Sequence, residues 1–214
     1  MISKLQYITQ DIEGASHVQL VEEACKAGVD WIQLRLKNKS YEDWKSIAEE
    51  ALAICKKYNA KLIINDNVAL VKEIGANGVH VGKQDMPVSK AREILGDDFI
   101  IGGTANTFED IELHAKSGAD YIGLGPFRFT TTKDKLSPVL GLEGYQAIVD
   151  KCKQENITTP IIAIGGITDT DVEDINATGV YGIAVASAIT HAENKKEIVQ
   201  RFMKHLEYDT LKIK

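Results

Sequence analysis

The sequence is poor in the features that mark several large functional classes. No apolar run reaches the ~18 residues a helix needs to cross a bilayer, so no membrane partner is expected. There is no basic arm; the pairs Lys56-Lys57 and Lys195-Lys196 stand alone, and the net charge of -6 weighs against a nucleic-acid partner. Only three cysteines occur, Cys25, Cys55 and Cys152, widely spaced and without a C-x-x-C pair. That number and spacing argue against a disulfide framework, and no His-Cys-Glu spacing points to zinc. Each cysteine falls in an expected helix and reads as a packing residue, which fits a reducing, cytoplasmic setting. Residues 10–15 (Q-D-I-E-G-A) lack the G-x-G-x-x-G that would follow the first strand of a dinucleotide-binding sheet. No G-x-S-x-G elbow is present, and Ser187 has no evident histidine base, so acyl transfer is not indicated. Residues 1–9 read as a strand rather than a secretory leader.

What is present is a repeat. The chain has 214 residues, 44% apolar and 26% charged, with 17 glycines and 4 prolines, an ordinary globular composition. Short Val/Ile/Leu-rich runs alternate with longer amphipathic stretches, the βα rhythm of a parallel sheet. Strands are expected at 4–9, 31–37, 61–66, 78–82, 99–104, 121–126, 160–165 and 182–187. Eight units of about 27 residues suit a (β/α)₈ barrel of the α/β class, one domain over 1–214. An open doubly wound sheet is the competing architecture, and the missing glycine fingerprint counts against it. Ser16 with Gln19 predicts a capping box, and Thr107 predicts another helix start. Gly28, Gly75 and Gly118 mark helix ends.

In such barrels the loops after the strands build the active site, and polar residues collect there. Gln33, Arg35 and Lys37 recur at period two, which puts them on the barrel's inner face, with Leu34 and Leu36 on the other. A cation pair facing inward calls for an anion. Asn65-Asp66 ends the third strand and Asp85 follows the fourth, so two carboxylates beside two cations have the makings of a magnesium-diphosphate site. Asp66 or Asp85 could instead serve a helix start. The sixth strand runs into G-P-F-R-F-T-T-T-K, whose Thr130, Thr131, Thr132 and Lys133 suit phosphate oxygens; the long loop 126–141 has the length of a lid. Gly165-Gly166 and Ala186-Ser187 stand after the seventh and eighth strands, where many barrels bind phosphate. His80, inside the fourth strand, reads as a core residue, and the helical histidines 17, 114, 191 and 205 as surface residues.

Taken in order, Q-L-R-L-K (33–37), N-D (65–66), G-V-H-V-G with Asp85, Y-I-G-L-G-P-F-R-F-T-T-T-K (121–133), A-I-G-G-I (163–167) and A-V-A-S-A-I (184–189) span most of the chain. This ordered set resembles the thiamine-phosphate synthase family. The resemblance implies a transferase of thiamine biosynthesis that couples a hydroxymethylpyrimidine diphosphate to a thiazole phosphate, with Mg²⁺ as cofactor and two small phosphorylated substrates as partners. By position, Gln33, Leu34, Arg35, Leu36, Lys37, Asn65, Thr104 and Lys133 would hold the pyrimidine diphosphate, with Arg35, Lys37 and Lys133 catalytic. Asp66 and Asp85 would ligate the metal. Thr130, Thr131, Thr132, Gly166, Ala186 and Ser187 would take the thiazole phosphate. A homo-oligomer is left open as the assembly. Two departures stand out: Asn106 where the family's G-x-S-x-H has histidine, and Lys83 where glutamine is common. A thiazole tautomerase of the same superfamily would need an acid or base that Asn106 cannot supply. A sugar-phosphate isomerase or lyase would not explain the cation and carboxylate cluster, and fold alone does not exclude a binding module.

Overall fold

The computed structural model describes residues 2–129 and 138–207. Eight parallel strands close into a barrel in sequence order, β1 (Leu5–Ile8), β2 (Trp31–Leu34), β3 (Lys61–Asn65), β4 (Gly78–Val81), β5 (Ile100–Ala105), β6 (Tyr121–Leu124), β7 (Ile161–Ile164) and β8 (Gly182–Val185). Closure runs through β1 and β8, where Leu5 pairs with Ile183 and Tyr7 with Val185. The helices outside are α1 (His17–Ala27), α2 (Tyr41–Lys57), α3 (Val68–Ile74), α4 (Val88–Leu95), α5 (Phe108–Lys116), α6 (Gly141–Gln154), α7 (Val172–Ala177), α8 (Ser187–Thr190) and α9 (Lys195–Glu207). The expected strands all form, though most are shorter than their apolar runs; β2 ends at Leu34, and Arg35 to Lys37 continue past it.

Local chemistry sets the boundaries. The Ser16–Gln19 capping box starts α1, and Thr107 with Asp110 starts α5 in the same way. Period-two alternation then sorts each strand into two environments. Outward residues such as Leu34, Leu62, Ile64, Val79 and Ile183 join the layer under the helices. Inward ones, Ile8, Trp31, Ile63, Tyr121, Ile162 and Ala184, fill the barrel. The Trp31 and Tyr121 rings meet edge to face with centroids 4.8 Å apart. Tyr121 lies so close over Gly102 that any Cβ there would fall 2.2 Å from the ring.

Above this apolar layer the barrel turns polar. Gln33 Nε2 donates to Gln6 Oε1 (3.2 Å), and Gln6 Nε2 donates to Tyr121 Oη (3.2 Å). Tyr121 Oη bonds His80 Nδ1 (3.0 Å), whose Nε2 reaches Thr104 Oγ1 (2.9 Å). Burial pushes the Tyr121 phenol well above its ordinary range, against the opposing hydrogen bonds from Gln6 and Gln33. It therefore serves as a neutral link. The network forms the floor on which the loops of the mouth stand.

Candidate functional site at the barrel mouth

On the β2 side, Gln33 is buried on the inner face, and Arg35 and Lys37 follow it half-buried at the same parity. Leu34 and Leu36 pack into the helix layer, 0% and 4% exposed. The β2 end is held from β1: Thr9 N donates to Gln33 O (3.0 Å), and Arg35 N donates to Thr9 Oγ1 (3.0 Å). His17 braces the same hydroxyl, bridging Thr9 Oγ1 (2.8 Å) and Asp11 Oδ1 (3.1 Å). Only 7% exposed, His17 is not the surface residue expected from its helix position; it faces back toward β1 from the first turn of α1.

Asn65, 8% exposed, ends β3 on the inner face in register with His80. Asp66 follows in the left-handed region, φ 65°, its N–H donating to His80 O (2.8 Å). A non-glycine residue held there stores strain of a kind that clusters at functional positions. The helix-start alternative for Asp66 fails, because Asn67 caps α3 by accepting from Leu70 N. Asp85 does not cap α4 either, whose N-cap is Pro87 without a side-chain bond. Its carboxylate accepts instead from Gly82 N (2.8 Å), closing the turn after β4. Asp66 and Asp85 thus stand past two adjacent strands, and both offer hard oxygen donors.

Lys83, in the turn that carries Asp85, pairs with Asp110 at the start of α5 (2.8 Å). Asp110 also accepts from the Asn106 and Thr107 amides. Burial opposes its charge, but Lys83 and these amides outweigh it and hold its carboxyl below the ordinary 3.8. Thr104 sits at the end of β5, its hydroxyl on His80.

Opposite this group in the ring are the ends of β6 to β8. Residues 125–129 lie directly on the β7 end: Phe127 N donates to Ile164 O (2.9 Å) and Arg128 N to Gly165 O (3.0 Å). Gly165 and Gly166 both have positive φ, 105° and 70°. A Cβ on Gly165 would meet Pro126 Cβ at 2.7 Å, and one on Gly166 would meet Arg128 Cγ at 2.4 Å. Glycine is needed here both for the backbone and for the seat of the loop. Arg128, assigned no role from sequence, crosses to Asp171 (2.6 Å). Ala186 and exposed Ser187 follow β8, and Ser187 Oγ donates to Gln10 Oε1 (3.2 Å) at the end of β1. Thr130, Thr131, Thr132 and Lys133 lie outside the described residues.

Thr9, Gln10 and His17 were not anticipated as supports of the mouth. The rule that reads function from strand ends applies equally to β1, whose T-Q-D was the available signal.

Comparison with known proteins bears on the family and the fold. The family model described as thiamine monophosphate synthase matches residues 5–189. The chain is 50% identical over 206 residues to a thiamine-phosphate synthase of Flavobacterium johnsoniae, covering 96% of this chain and 97% of that protein. A thiamine-phosphate synthase of Phocaeicola vulgatus is 50% identical over 200 residues, covering 94% and 96%. Among solved structures, the thiamine phosphate pyrophosphorylase of Pyrococcus furiosus superposes with a TM-score of 0.83 at 34% identity, covering 96% of each chain.

Proposed function

This chain belongs to the thiamine monophosphate synthase family, and from that premise we propose how its barrel mouth performs the family's reaction. The protein is a transferase of thiamine biosynthesis: it joins a hydroxymethylpyrimidine diphosphate to a thiazole phosphate, forming thiamine monophosphate and pyrophosphate. The carbon–oxygen bond of the pyrimidine methylene breaks, and its electron pair leaves with pyrophosphate. The thiazole nitrogen supplies the pair for the new carbon–nitrogen bond and becomes the cationic centre of the thiazolium.

Negative charge grows on the departing diphosphate, so cations aimed at it stabilise the transition state more than the ground state. Arg35 and Lys37, half-buried just beyond β2, are assigned that role, together with Gln33, Asn65 and Thr104 from the ends of β2, β3 and β5. Lys133 is assigned to the same diphosphate on its place in the sequence. Asp66 and Asp85 are the residues that would hold Mg²⁺; the hard oxygens of the pair fit that ion, which takes few protein carboxylates and completes its shell from water and phosphate. Bound there, Mg²⁺ supplies positive charge to the leaving group. On the opposite side Gly166, Ala186 and Ser187 receive the thiazole phosphate, with Thr130, Thr131 and Thr132 assigned to the same substrate.

No strong general base is required, since the acceptor nitrogen carries its own lone pair. The inner polar groups fit that demand: Tyr121 stays protonated and His80 is occupied by Tyr121 and Thr104. The observation that supports the reading is that Arg35, Lys37, Asp66 and Asp85 follow the ends of β2–β4, across the ring from the two positive-φ glycines beyond β7. The test is pyrophosphate release, expected only when both substrates and Mg²⁺ are supplied. Release with a single substrate, or none with all three present, would refute it.

A further inference from the structure

Asn106 stands just past β5, where a residue with a titrating ring would suit proton transfer; an amide cannot shuttle protons near neutral pH. Its side chain is instead committed to structure. Asn106 Nδ2 donates to the carbonyl of Gly125, the residue that leads β6 into the loop against β7. The Asn106 main-chain N–H donates to Asp110 Oδ2 (2.9 Å), and the same oxygen holds Lys83 Nζ (2.8 Å) from the turn that carries Asp85. One continuous chain of polar contacts, Lys83–Asp110–Asn106–Gly125, thus joins the turns after β4, β5 and β6.

The far end of that chain matters most. Beyond Gly125, Pro126 packs on Gly165, and Phe127 and Arg128 bond the carbonyls of Ile164 and Gly165. Leu140 N donates to Pro126 O (2.9 Å) and Gly141 N to Phe127 O (3.1 Å), so the returning chain is fixed to the same point. Residues 125–128 are therefore a wall of the turn assigned to the acceptor phosphate. Gly125 N–H donates to Ala105 O (3.1 Å), and Asn106, just past β5, adds the side-chain bond that holds the Gly125 carbonyl where this wall begins.

We propose that Asn106 is a positioning residue for the acceptor pocket: by holding the Gly125 carbonyl it sets the wall of residues 125–128 against Gly165-Gly166. The proposal rests on the coupling reaction given above and adds a determinant of acceptor affinity that does not touch substrate. Losing one oriented hydrogen bond of this kind corresponds to a change of about tenfold.

The test compares Asn106→Ala and Asn106→Asp with wild type in steady-state pyrophosphate release, varying each substrate in turn, with thermal melts alongside. Asn106→Ala is expected to raise the KM for thiazole phosphate about tenfold while the KM for pyrimidine diphosphate stays within about twofold. Asn106→Asp is isosteric and folds around the same shape, but its carboxylate cannot donate to Gly125. Its defect relative to wild type should shrink as pH falls, because the protonated carboxyl regains a donor. Unchanged acceptor KM in Asn106→Ala, an equal rise in both KM values, or an Asp defect independent of pH would overturn the proposal alone. A wild type that releases no pyrophosphate would overturn the coupling reading and the proposal with it.

Discussion

Replacing Gly165 by alanine should damage stability and acceptor binding together. The backbone there has φ 105°, and a Cβ would lie 2.7 Å from Pro126 Cβ and 2.8 Å from Pro126 Cα. The left-handed conformation costs an L-residue about 1–2 kcal/mol. Forcing a methyl against a rigid ring adds about 1–3 kcal/mol, since the main chain of residues 126–127 must shift. The sum, about 2–5 kcal/mol, lowers Tm by about 5–15 °C in a chain of this size. Gly14→Ala is the control: φ is 82° there, but nothing lies within 4 Å of the added carbon. It should pay the conformational cost only, about 1–2 kcal/mol, and keep its kinetics. Thermal melts by circular dichroism and the KM for thiazole phosphate give both readings. If Gly165→Ala melts no lower than Gly14→Ala and binds the acceptor normally, the contact with Pro126 does not shape the pocket.

Three further outcomes are expected. Tyr121→Phe removes the hydroxyl shared by Gln6 and His80, leaving buried polar groups unpaired at about 1–3 kcal/mol; a Tm drop of about 3–10 °C checks it, and an unchanged melt counts against the network. Asp66→Asn keeps a residue that tolerates φ 65°, so stability should change by less than about 0.5 kcal/mol while the Mg²⁺ concentration for half-maximal rate rises about tenfold or more; a Mg²⁺ titration decides. Acid should weaken the mouth: Asp110 and Asp171 both titrate below 3.8, as their bonding to Lys83 and backbone amides, and to Thr168 and Arg128, outweighs burial. Their contribution is complete above about pH 4 and is lost as pH falls through the lowered values, so Asp110→Asn should flatten the stability–pH curve below about pH 4.

Much of this architecture was legible in the residues because each local signal agreed with the next. Apolar runs gave the strands, and Ser16, Thr107, Gly28 and Gly75 gave the helix boundaries, all set by contacts within a few residues. Strand parity separated Gln33 and Arg35 from Leu34 and Leu36 for the same reason. Alternation sends the Leu34 and Leu36 side chains to the helix layer, where both are buried. Long-range contacts stayed hidden. His17 is spaced like a surface residue, and only the approach of β1 to α1 shows it on Thr9 and Asp11. Nor does the sequence show that α5 brings Asp110 to Lys83, 27 residues away. The need for two glycines at 165 and 166 was visible, but not that the chain from Pro126 to Arg128 seats on them.

The most direct measurement is calorimetric titration of thiazole phosphate into the protein saturated with Mg²⁺ and pyrophosphate. Separate pockets across one opening predict that both anions bind at once, one of each per barrel, with acceptor affinity undiminished. Displacement of one by the other would mean a single phosphate site, and the coupling geometry would be wrong.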